Sequence, residues 1–302
     1  MPYIHHYNDN YYKPSGNLTN LFKEKVIQPF ERDLPTLAED VKNKKLYYWK
    51  DIARILEQGQ SNFDTTSFDK PSNRYYPPKH KVSIYSVHYM PMHLFSSYHI
   101  FTTHSIPISN KVVFIDFGCG PLTSGIAFWD FAKQSDMTYI GIDNSQWMLN
   151  KAVEINEYGP NRYRYPSFDN FELILEYDNN HLTGLLDQYI EKGDGTQIIF
   201  NFCYFFASPT LNIGPLSDIL ISTVGQYNKH KMYIVYQNAV SSSLKLREKW
   251  YTLKNNLLKV KNSRFRSSIS SNQHIQPFKY NRLINCTLHR DAKVYSDILC
   301  NE

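Results

Sequence analysis

The sequence has no long apolar run and few of the residues that stabilise a chain through disulfide bonds. Its two most apolar segments are residues 112–132, which charged residues and glycines interrupt, and residues 198–207, which span half of the ~20 residues that a membrane helix needs. The four cysteines include no Cys-x-x-Cys pair, and the amino terminus shows no secretory leader pattern. We therefore expect a soluble, cytoplasmic protein with reduced thiols and no membrane partner.

Glycine is scarce as well, with 12 residues among 302, whereas the chain contains 24 tyrosines and 18 phenylalanines. Such an aromatic excess is typical either of base-stacking surfaces or of a chain encoded by an AT-rich genome. With 42% hydrophobic and 20% charged residues, the composition is that of a globular protein rather than a disordered one. The length fits two domains of ~150 residues or one large α/β domain with extensions.

The small net charge of +5 conceals an uneven distribution along the chain. Residues 1–110 carry +3, residues 111–244 carry −6 and residues 245–293 carry +10. This basic segment indicates a polyanionic partner, and the alternative is a solvated helix face followed by a charged hairpin. Nucleic acid, most plausibly RNA, is the partner that we expect, because aromatic residues are interleaved with the basic ones. These aromatic residues are Trp250, Tyr251, Phe265, Phe278 and Tyr280.

The first hundred residues predict helices rather than strands. Apolar residues recur at three- and four-residue spacing between residues 18 and 58, where Pro29 and Pro35 are expected to break or kink the helix. The polar segment 59–81 predicts a long loop. We therefore predict a helical amino-terminal extension or lid over residues 1–104, with a disordered arm at its start.

From residue 111 onward, apolar strands alternate with amphipathic helices. Because fully apolar strands that alternate with helices form a parallel sheet covered on both faces, the pattern predicts an α/β, doubly wound core domain over residues 105–302. Strands are predicted over residues 112–116, 139–143, within 162–171, over 197–202 and 232–237, with two closing strands at 264–269 and 282–288.

The strongest local motif is Asp-Phe-Gly-Cys-Gly-Pro at residues 116–121, where an apolar strand turns into a helix. Gly118 and Gly120 let the backbone approach a ligand, and free amides at the helix amino terminus would favour an anionic group. Thr123 replaces the third glycine of a dinucleotide-binding motif, and the carboxylate of Asp116 would repel a pyrophosphate. An aspartate there suits a ligand with an ammonium and a carboxylate, such as the amino-acid end of S-adenosylmethionine.

A second acid, Asp143, ends the next predicted strand, where a carboxylate can accept both hydroxyls of a ribose. These two segments resemble the motifs of the class I S-adenosylmethionine-dependent methyltransferases. Residues 116–121 look like the glycine-rich motif I, and residues 141–145, with Met148, Leu149 and Ala152, look like the ribose-binding second motif.

The resemblance implies a Rossmann-like, mostly parallel, seven-stranded sheet whose last strand is inserted antiparallel. It also implies S-adenosylmethionine as the cofactor, with an adenine contact after the third strand, for which Asp169 or Asn170 is the choice. The cofactor-binding residues that follow from the resemblance are Asp116, Gly118, Cys119, Gly120, Thr123, Asp143, Asn144, Asp169 and Asn201.

The acceptor of such enzymes lies beyond the fourth strand. There, Asn201 and Tyr204 match the outer positions of the (Asn/Asp)-Pro-Pro-(Tyr/Phe) motif of amino-group methyltransferases, and the resemblance implies that they are catalytic. In that family, a side-chain oxygen accepts a hydrogen bond from the target amine and the aromatic ring stacks on its plane. Phe202 and Cys203 replace both prolines here, so the alternative is that Asn201 caps the strand end near the cofactor. For Cys203, a packed thiol is favoured over a covalent nucleophile.

Four histidines, His88, His93, His99 and His104, stand at spacings that do not place neighbours on one helix face, so we expect no metal site. The segment 89–101 is instead expected to lie over the cofactor mouth. Its substrate-contacting residues would be Tyr89, His93 and Tyr98.

Three functions remain open on this sequence. The first is S-adenosylmethionine-dependent methyl transfer to a nucleic acid, most plausibly RNA. The second is methyl transfer to a small molecule beneath a helical lid formed by the amino-terminal extension. The third is a non-catalytic binding module that retains the fold.

Overall fold

The chain was analysed in a computed structural model. It describes residues 4–6, 11–43, 45, 49–57, 62–132, 135–159, 165–176, 178–190, 195–240, 245–260, 265–267, 274–284 and 288–301. The strands, numbered in chain order, are β1 (Ile4–His6), β2 (Tyr11–Pro14), β3 (Ser67–Asp69), β4 (Arg74–Tyr76), β5 (Lys111–Phe117), β6 (Asp136–Asp143), β7 (Asn170–Leu175), β8 (Gln197–Cys203), β9 (Met232–Ala239), β10 (Phe265–Ser267), β11 (His274–Asn281) and β12 (His289–Asn301).

Helices cover both faces of the main sheet. They are α1 (Gly16–Phe22), α2 (Gln28–Asp33), α3 (Pro35–Lys42), α4 (Trp49–Ile55), α5 (Pro78–His88), α6 (Met90–Thr103), α7 (Thr123–Phe131), α8 (Gln146–Asn156), α9 (Asn179–Tyr189), α10 (Ile213–Gln226) and α11 (Lys245–Leu258). Among the helices that the structure describes, none combines the length and apolar character that crossing a membrane requires.

The central sheet has the strand order β7-β6-β5-β8-β9-β12-β11. Strands β5 to β9 are parallel, β12 runs antiparallel to β9, and β11 runs antiparallel to β12. The last strand of the chain is therefore inserted antiparallel between the fifth and sixth strands of the core. This is the arrangement that the resemblance to class I methyltransferases implies, so the predicted fold class is confirmed.

A strand from the amino terminus extends this sheet. In β2, Tyr12 pairs in parallel with Tyr280 of β11, and β1 pairs with β2. The Tyr12 side chain is buried, and its hydroxyl lies 2.6 Å from Nδ1 of His99. The prediction of a disordered arm is therefore wrong for residues 11–17, because a strand this short carries no readable periodicity. Residues 1–3 and 7–10 of that predicted arm lie outside the described part of the chain.

The amino-terminal helices differ from the predicted pattern at the prolines. Pro35 begins α3, where a missing N–H costs nothing, so this proline starts a helix. Pro29 follows a π-helical turn, Lys23–Ile27, that joins α1 to α2, so the helix continues past this proline through a locally widened turn instead of breaking there. The predicted loop 59–81 contains the hairpin β3–β4 and the start of α5. Apolar side chains from these helices pack in one core with the inner face of β5, so the described core is continuous across residue 104.

The opposite face of the sheet shows where part of the basic segment lies. On α11, Trp250 stacks on Tyr236 with ring centroids 4.6 Å apart, and its Nε1 donates to Oδ2 of Asp297 at 3.0 Å. Lys254 donates to the same oxygen at 2.6 Å, in a pair that is almost completely buried. This lysine therefore neutralises a buried carboxylate and is not available to a partner.

The aromatic residues of the basic segment belong largely to the core, contrary to the expectation that they form stacking surfaces. None of Trp250, Phe265, Phe278 and Tyr280 is more than 6% exposed, and Tyr251 is half-buried. Their apolar area stabilises the fold because it is removed from water, so it cannot also face a bound base.

Two predicted strands are displaced. The third strand is β7, which begins where the predicted range ends, and its mixture of exposed and half-buried positions explains the weak signal. The predicted strand 282–288 is instead the connection between β11 and β12, in which residues 285–287 lie outside the described chain. The predicted strand 264–269 contains β10, which pairs with β12.

Candidate cofactor and acceptor site

A cavity of about 1060 Å³ lies where the parallel strands end at their carboxyl side. Its floor is formed by the turns after β5, β6, β7, β8 and β9, and its roof by α4, residues 62–65, α5 and α6. Ligand cavities in proteins typically measure ~300–1,000 Å³, and open α/β sheets bind ligands at this edge. The cavity has room for a nucleoside-sized ligand together with an acceptor group.

The glycine turn after β5 is tied to the neighbouring strand β6. The N–H groups of Gly118 and Cys119 donate to the carbonyl of Ile142 at 2.8 and 3.0 Å, and the N–H of Gly120 donates to Oδ2 of Asp143 at 2.9 Å. These three amides of the turn itself are therefore not available to an anion. The missing side chain of Gly118 instead lets the turn pack closely against Phe205, because a Cβ at this position would lie 2.7 Å from the Phe205 ring.

The carboxylate of Asp143 stands at the tip of β6, on the cavity wall. Its Oδ1 accepts the N–H of Ser145 at 2.9 Å, while Oδ2 accepts the N–H of Gly120. Each carboxylate oxygen can accept a second hydrogen bond, which leaves capacity for the two hydroxyls of a ribose. Burial raises the pKa of Asp143 to about 6, and the backbone hydrogen bonds oppose this rise, so the group is ionised at neutral pH.

The roof over Asp143 is held in place by Asp64. Its Oδ1 accepts the hydroxyl of Ser145 at 3.0 Å, and its Oδ2 accepts the N–H of Gln146 at 3.3 Å. Both donors lie at the amino terminus of α8, where a carboxylate satisfies unpaired N–H groups and interacts favourably with the helix dipole. The roof segment and the floor of the cavity are therefore joined by hydrogen bonds.

A fully buried lysine, Lys81 of α5, fixes the same roof segment from behind. Its ammonium donates to the carbonyls of Asn62 and Thr65 and lies 3.5 Å from Oε1 of Glu57. Burial lowers the pKa of Lys81, and the nearby Glu57 opposes that shift. The cost of burying this charge is offset only while the roof segment stays in contact with it.

The charge of the cavity wall is negative. Its lining contains no lysine or arginine among the residues that the structure describes, whereas it includes four acids. The acids are Glu57, Asp64, Asp143 and Glu176. A wall of one sign in a partly enclosed space concentrates ligands of the opposite sign, so the cavity favours a ligand with net positive charge.

The other half of the cavity is aromatic. His93 of α6 stacks on Tyr204, with ring centroids 3.8 Å apart, and its Nδ1 lies 3.0 Å from the hydroxyl of Tyr85. Burial lowers the pKa of His93 to about 3, so the imidazole is neutral at physiological pH. Tyr204 adopts the left-handed conformation, with φ 59°, directly after β8. A non-glycine residue in this region is strained, and such strain concentrates at binding sites.

A buried polar layer supports the floor from below. Asp116 of β5 accepts hydrogen bonds from the hydroxyl of Tyr139 at 3.0 Å and from Nδ2 of Asn201 at 2.8 Å. Both Asp116 and Asn201 are fully buried and do not line the cavity. Asn201 therefore lies within β8, below the cavity wall, and its amide nitrogen is engaged by Asp116.

Cys203, the last residue of β8, lines the cavity. Its Sγ lies 3.3 Å from the hydroxyl of Ser97, and burial raises the pKa of the thiol to about 12. A thiol that stays protonated is a poor nucleophile, which agrees with the favoured packing role.

The structure brings together about half of the predicted site residues. Those that line the cavity are Tyr89, His93, Gly118, Gly120, Asp143, Asn144 and Tyr204. Those that lie outside its lining are Asp116, Cys119, Thr123, Asn201 and Tyr98. Of this second group, Tyr98 faces away from the cavity and contacts Tyr12, with ring centroids 5.8 Å apart.

Asp169 is a clear misplacement. It precedes β7 at the amino edge of the sheet, where its Oδ2 accepts the N–H of Met137 at 2.6 Å, so it lies at the opposite edge from the cavity. The prediction was wrong because the third strand was placed too early in the chain. The residue that follows this strand at the cavity is Glu176, whose N–H donates to the carbonyl of Asp143 at 3.1 Å.

Sequence reasoning also missed the roof residues Glu57, Asp64 and Tyr85. Glu57 and Asp64 stand near or within the segment that was predicted to be a loop, and Tyr85 lies on a helix that was not predicted. Only the position of Glu176 had a readable signal, as the acid directly after an apolar strand.

The histidines make separate contacts. Nδ1 of His99 lies near the Tyr12 hydroxyl, and Nε2 of His104 lies 3.1 Å from the hydroxyl of Ser296. Within the described ranges, no group of three or more His, Cys, Asp or Glu side chains is arranged to hold a metal ion.

Comparisons with known proteins found similarity among solved structures alone. No family model and no curated protein matches the sequence. Among solved structures, precorrin-6y C5,15-methyltransferase from Geobacter metallireducens GS-15 is similar over 67% of this chain and 86% of its own, at 10% identity and a TM-score of 0.41. The TYW2 protein of M. jannaschii, in complex with AdoMet, is similar over 79% of this chain and 87% of its own, at 12% identity and a TM-score of 0.39.

A SAM-dependent methyltransferase from Archaeoglobus fulgidus is similar over 68% of this chain and 92% of its own, at 16% identity and a TM-score of 0.37. The chain's own strand order is what establishes the class I methyltransferase fold. The resemblance seen in the sequence is thereby confirmed at the level of the fold.

Replacing Gly118 by alanine is expected to destabilise the protein by about 1–3 kcal/mol, because the new Cβ meets Phe205 and the φ of +70° is unfavourable for alanine. Gly184→Ala is the matched control. Gly184 lies within α9 with nothing near its added Cβ, so the substitution should stabilise by about 0.5–1 kcal/mol. Urea unfolding of both variants measures the difference, and equal effects would contradict the described turn.

The buried acid Asp116 should make stability fall as pH rises. Burial raises its pKa to about 7, against ~3.9 in the unfolded chain, so between these values the folded protein binds more protons. As the pH rises from about 5 to about 7.5, the free energy of unfolding of the native protein should fall by on the order of 2 kcal/mol more than that of Asp116→Asn. Urea unfolding at a series of pH values measures this difference. If the free energy of unfolding changed with pH equally in the two proteins, Asp116 would not be buried as described.

Proposed function

We propose that the cavity binds S-adenosylmethionine and that the protein transfers its methyl group to an acceptor. The observation that carries this proposal is the hydrogen bond between the Gly120 N–H and the Asp143 carboxylate. It holds a glycine turn, which permits close approach, beside an acid at the tip of the second strand, which can accept ribose hydroxyls.

The residues present fit this cofactor. The cofactor carries a sulfonium, an ammonium and a carboxylate, so its net charge is positive, and the cavity wall carries four acids. Asp143 would hold the ribose, and Glu176 would flank the adenine at the end of β7. The methionine end would cross the turn at Gly118, where the missing side chain leaves space.

When bound, the cofactor supplies a methyl group already activated by the sulfonium, so the protein's task is alignment of the acceptor. The aromatic half of the cavity provides flat surfaces at Tyr89 and Tyr204. If Nδ1–H of His93 donates to the Tyr85 hydroxyl, its Nε2 lone pair can accept a hydrogen bond from an acceptor N–H or O–H. Such a bond would orient the acceptor's reacting lone pair.

For the acceptor, we propose a nucleic acid, specifically RNA, that approaches across the β11–β12 hairpin. Strand β12 pairs Val294 with Ala239, the last residue of β9, so the residues before Val294 extend beyond the carboxyl edge of the sheet. This extension and the end of β11 carry four basic residues. They are Lys279, Arg282, Arg290 and Lys293.

The hairpin charges act close to the cavity. The pKa of His88 is lowered to about 4, chiefly by burial and further by Arg290 and Arg282. Burial raises the pKa of Tyr89, a cavity residue, and Arg290 opposes that rise. These four charges, rather than all twelve of the basic segment, are the part that we assign to phosphate binding.

The ribose assignment predicts that Asp143→Asn weakens binding of S-adenosylmethionine and S-adenosylhomocysteine at least about tenfold, because charge-assisted hydrogen bonds are worth about 1.5–3 kcal/mol each. Asp136→Asn, at the exposed first residue of the same strand, should bind as the native protein does. Titration calorimetry combined with thermal unfolding separates a binding defect from a folding defect, and unchanged affinity in Asp143→Asn would remove Asp143 from the ribose site.

The acceptor assignment predicts a salt effect. The double variant Arg290→Gln with Lys293→Gln should bind single-stranded RNA more weakly than the native protein. The slope of the logarithm of the binding constant against the logarithm of the salt concentration should also become shallower by about 0.7 for each phosphate that is no longer neutralised. Lys229→Gln with Lys231→Gln removes the same charge at the amino edge of the sheet and should change little. Equal slopes for both variants would contradict a phosphate-binding hairpin.

Labelled methyl transfer into fractionated cell RNA, protein and metabolites then distinguishes the functions. Label in RNA supports the proposed acceptor, and label in metabolites alone supports a small-molecule methyltransferase beneath the roof. Cofactor binding without transfer to any fraction would support the non-catalytic alternative.

A further inference from the structure

The hairpin β3–β4 presents two aromatic rings to solvent. Phe68 is 44% exposed and Tyr75 is 69% exposed, whereas the other aromatic ring of the hairpin, Tyr76, is buried. Phe68 and Tyr75 stand directly opposite each other on the two strands, with ring centroids 4.7 Å apart. The two ring planes are tilted by 38° to each other and together form an exposed apolar surface, a feature that often marks a binding site.

The opposite side of this hairpin is firmly held. Oδ1 of Asp69 accepts Nε–H of Arg54 at 2.5 Å, and its Oδ2 accepts the hydroxyl of Ser72 at 2.5 Å. Asp69 itself is almost completely buried. The exposed rings therefore sit on an ordered support, and their positions are fixed by the backbone pairing behind them.

The hairpin is also attached to the wall of the cavity. Glu57 Oε1 accepts the hydroxyls of Ser67, the first residue of β3, at 3.0 Å and of Thr65 at 3.1 Å. Both Glu57 and Thr65 line the cavity. Phe68 is three residues from Thr65, a span of at most about 10–11 Å of extended chain. A ligand on the rings is therefore near any group placed in the cavity.

The charge around the rings is positive. Lys70, in the turn, and Arg74, the first residue of β4, are exposed, and the acid of the hairpin itself, Asp69, is paired with Arg54. Two basic side chains beside two open aromatic faces are complementary to a strand that alternates phosphates with flat bases. They would repel a second copy of the same basic turn.

We propose that Phe68 and Tyr75 form a stacking surface for a base of a single-stranded nucleic acid, next to the nucleotide that enters the cavity. The inference rests on the proposed function for the identity of the acceptor. Lys70 and Arg74 contact the adjoining phosphates. The hairpin thus binds the strand on the cofactor side of the cavity, and the basic β11–β12 hairpin binds it on the acceptor side.

The test uses fluorescence anisotropy of a short labelled single-stranded RNA of mixed sequence with the full-length protein. Phe68→Ala with Tyr75→Ala should weaken binding about fivefold or more, because removing a base–aromatic stack costs at least about that factor. Tyr75→Phe keeps the ring and should bind as the native protein does. Duplex RNA, which offers no open base faces, should show little difference between these proteins.

The control variant is Ile275→Ala. Ile275 is 43% exposed, similar to Phe68, and lies near the start of β11, at the edge of the central sheet opposite to the cavity, so this change should leave RNA binding unchanged. Binding of S-adenosylhomocysteine should be the same in every variant. If the native protein binds S-adenosylhomocysteine but its RNA affinity is unchanged by removal of both rings, or is absent, the stacking surface is refuted while the cofactor site stands.

One further result would also overturn the proposal. Sedimentation showing that the native protein is a dimer, and that the variant lacking both rings is a monomer, would identify the surface as a contact between copies. Failure of the native protein itself to bind S-adenosylhomocysteine would refute the proposed function instead.

Discussion

The hydrogen bond between the Gly120 N–H and the Asp143 carboxylate joins the two parts of the sequence on which the site depends. It requires a turn of unusual backbone conformation after β5 and an acid at the end of β6, and it forms only if these strands are parallel neighbours. The same carboxylate accepts the N–H of Ser145, whose hydroxyl binds Asp64 in the roof. The glycine turn, the second strand and the roof are therefore mechanically coupled.

Asp143 and Asp116, the acids of the two methyltransferase-like motifs, lie at different depths and have different roles. Asp143 lies on the cavity wall, where its remaining acceptor capacity faces a ligand. Asp116 lies one layer below and orients Tyr139 and Asn201. Burial raises the pKa of both acids, which costs stability at neutral pH, and a protein retains such a cost where the charges serve a site. The floor is thus a polar layer rather than an apolar one.

The predictable features were those with a local signal. The parallel core was predicted from apolar strands alternating with helices, because burial on both faces leaves an unbroken apolar run. The antiparallel insertion of the last strand was implied by the resemblance that residues 116–121 and 141–145 carry. The short edge strand β2 and the hairpin β3–β4 gave no such signal. Asp169 was misplaced because β7 is an edge strand of mixed exposure, so its apolar pattern did not fix its start.

The roof residues were unpredictable for another reason. Asp64 and Lys81 act through contacts with residues far away in sequence, and nothing in their immediate neighbours distinguishes them from surface charges. The basic segment shows the converse. Its excess charge is plain in the sequence, but Lys254 neutralises the buried Asp297, so composition alone overstated how much of it faces a partner.

The most direct measurement of the central claim is calorimetric titration of the protein with S-adenosylmethionine in buffers of different ionisation enthalpy. Because the free Asp143 has a pKa of about 6 and only its ionised form can accept both ribose hydroxyls, binding should lower that pKa. The account predicts one molecule bound per chain and release of a proton at or below about pH 6. Absence of binding at millimolar cofactor, or binding with no proton release in that range, would contradict it.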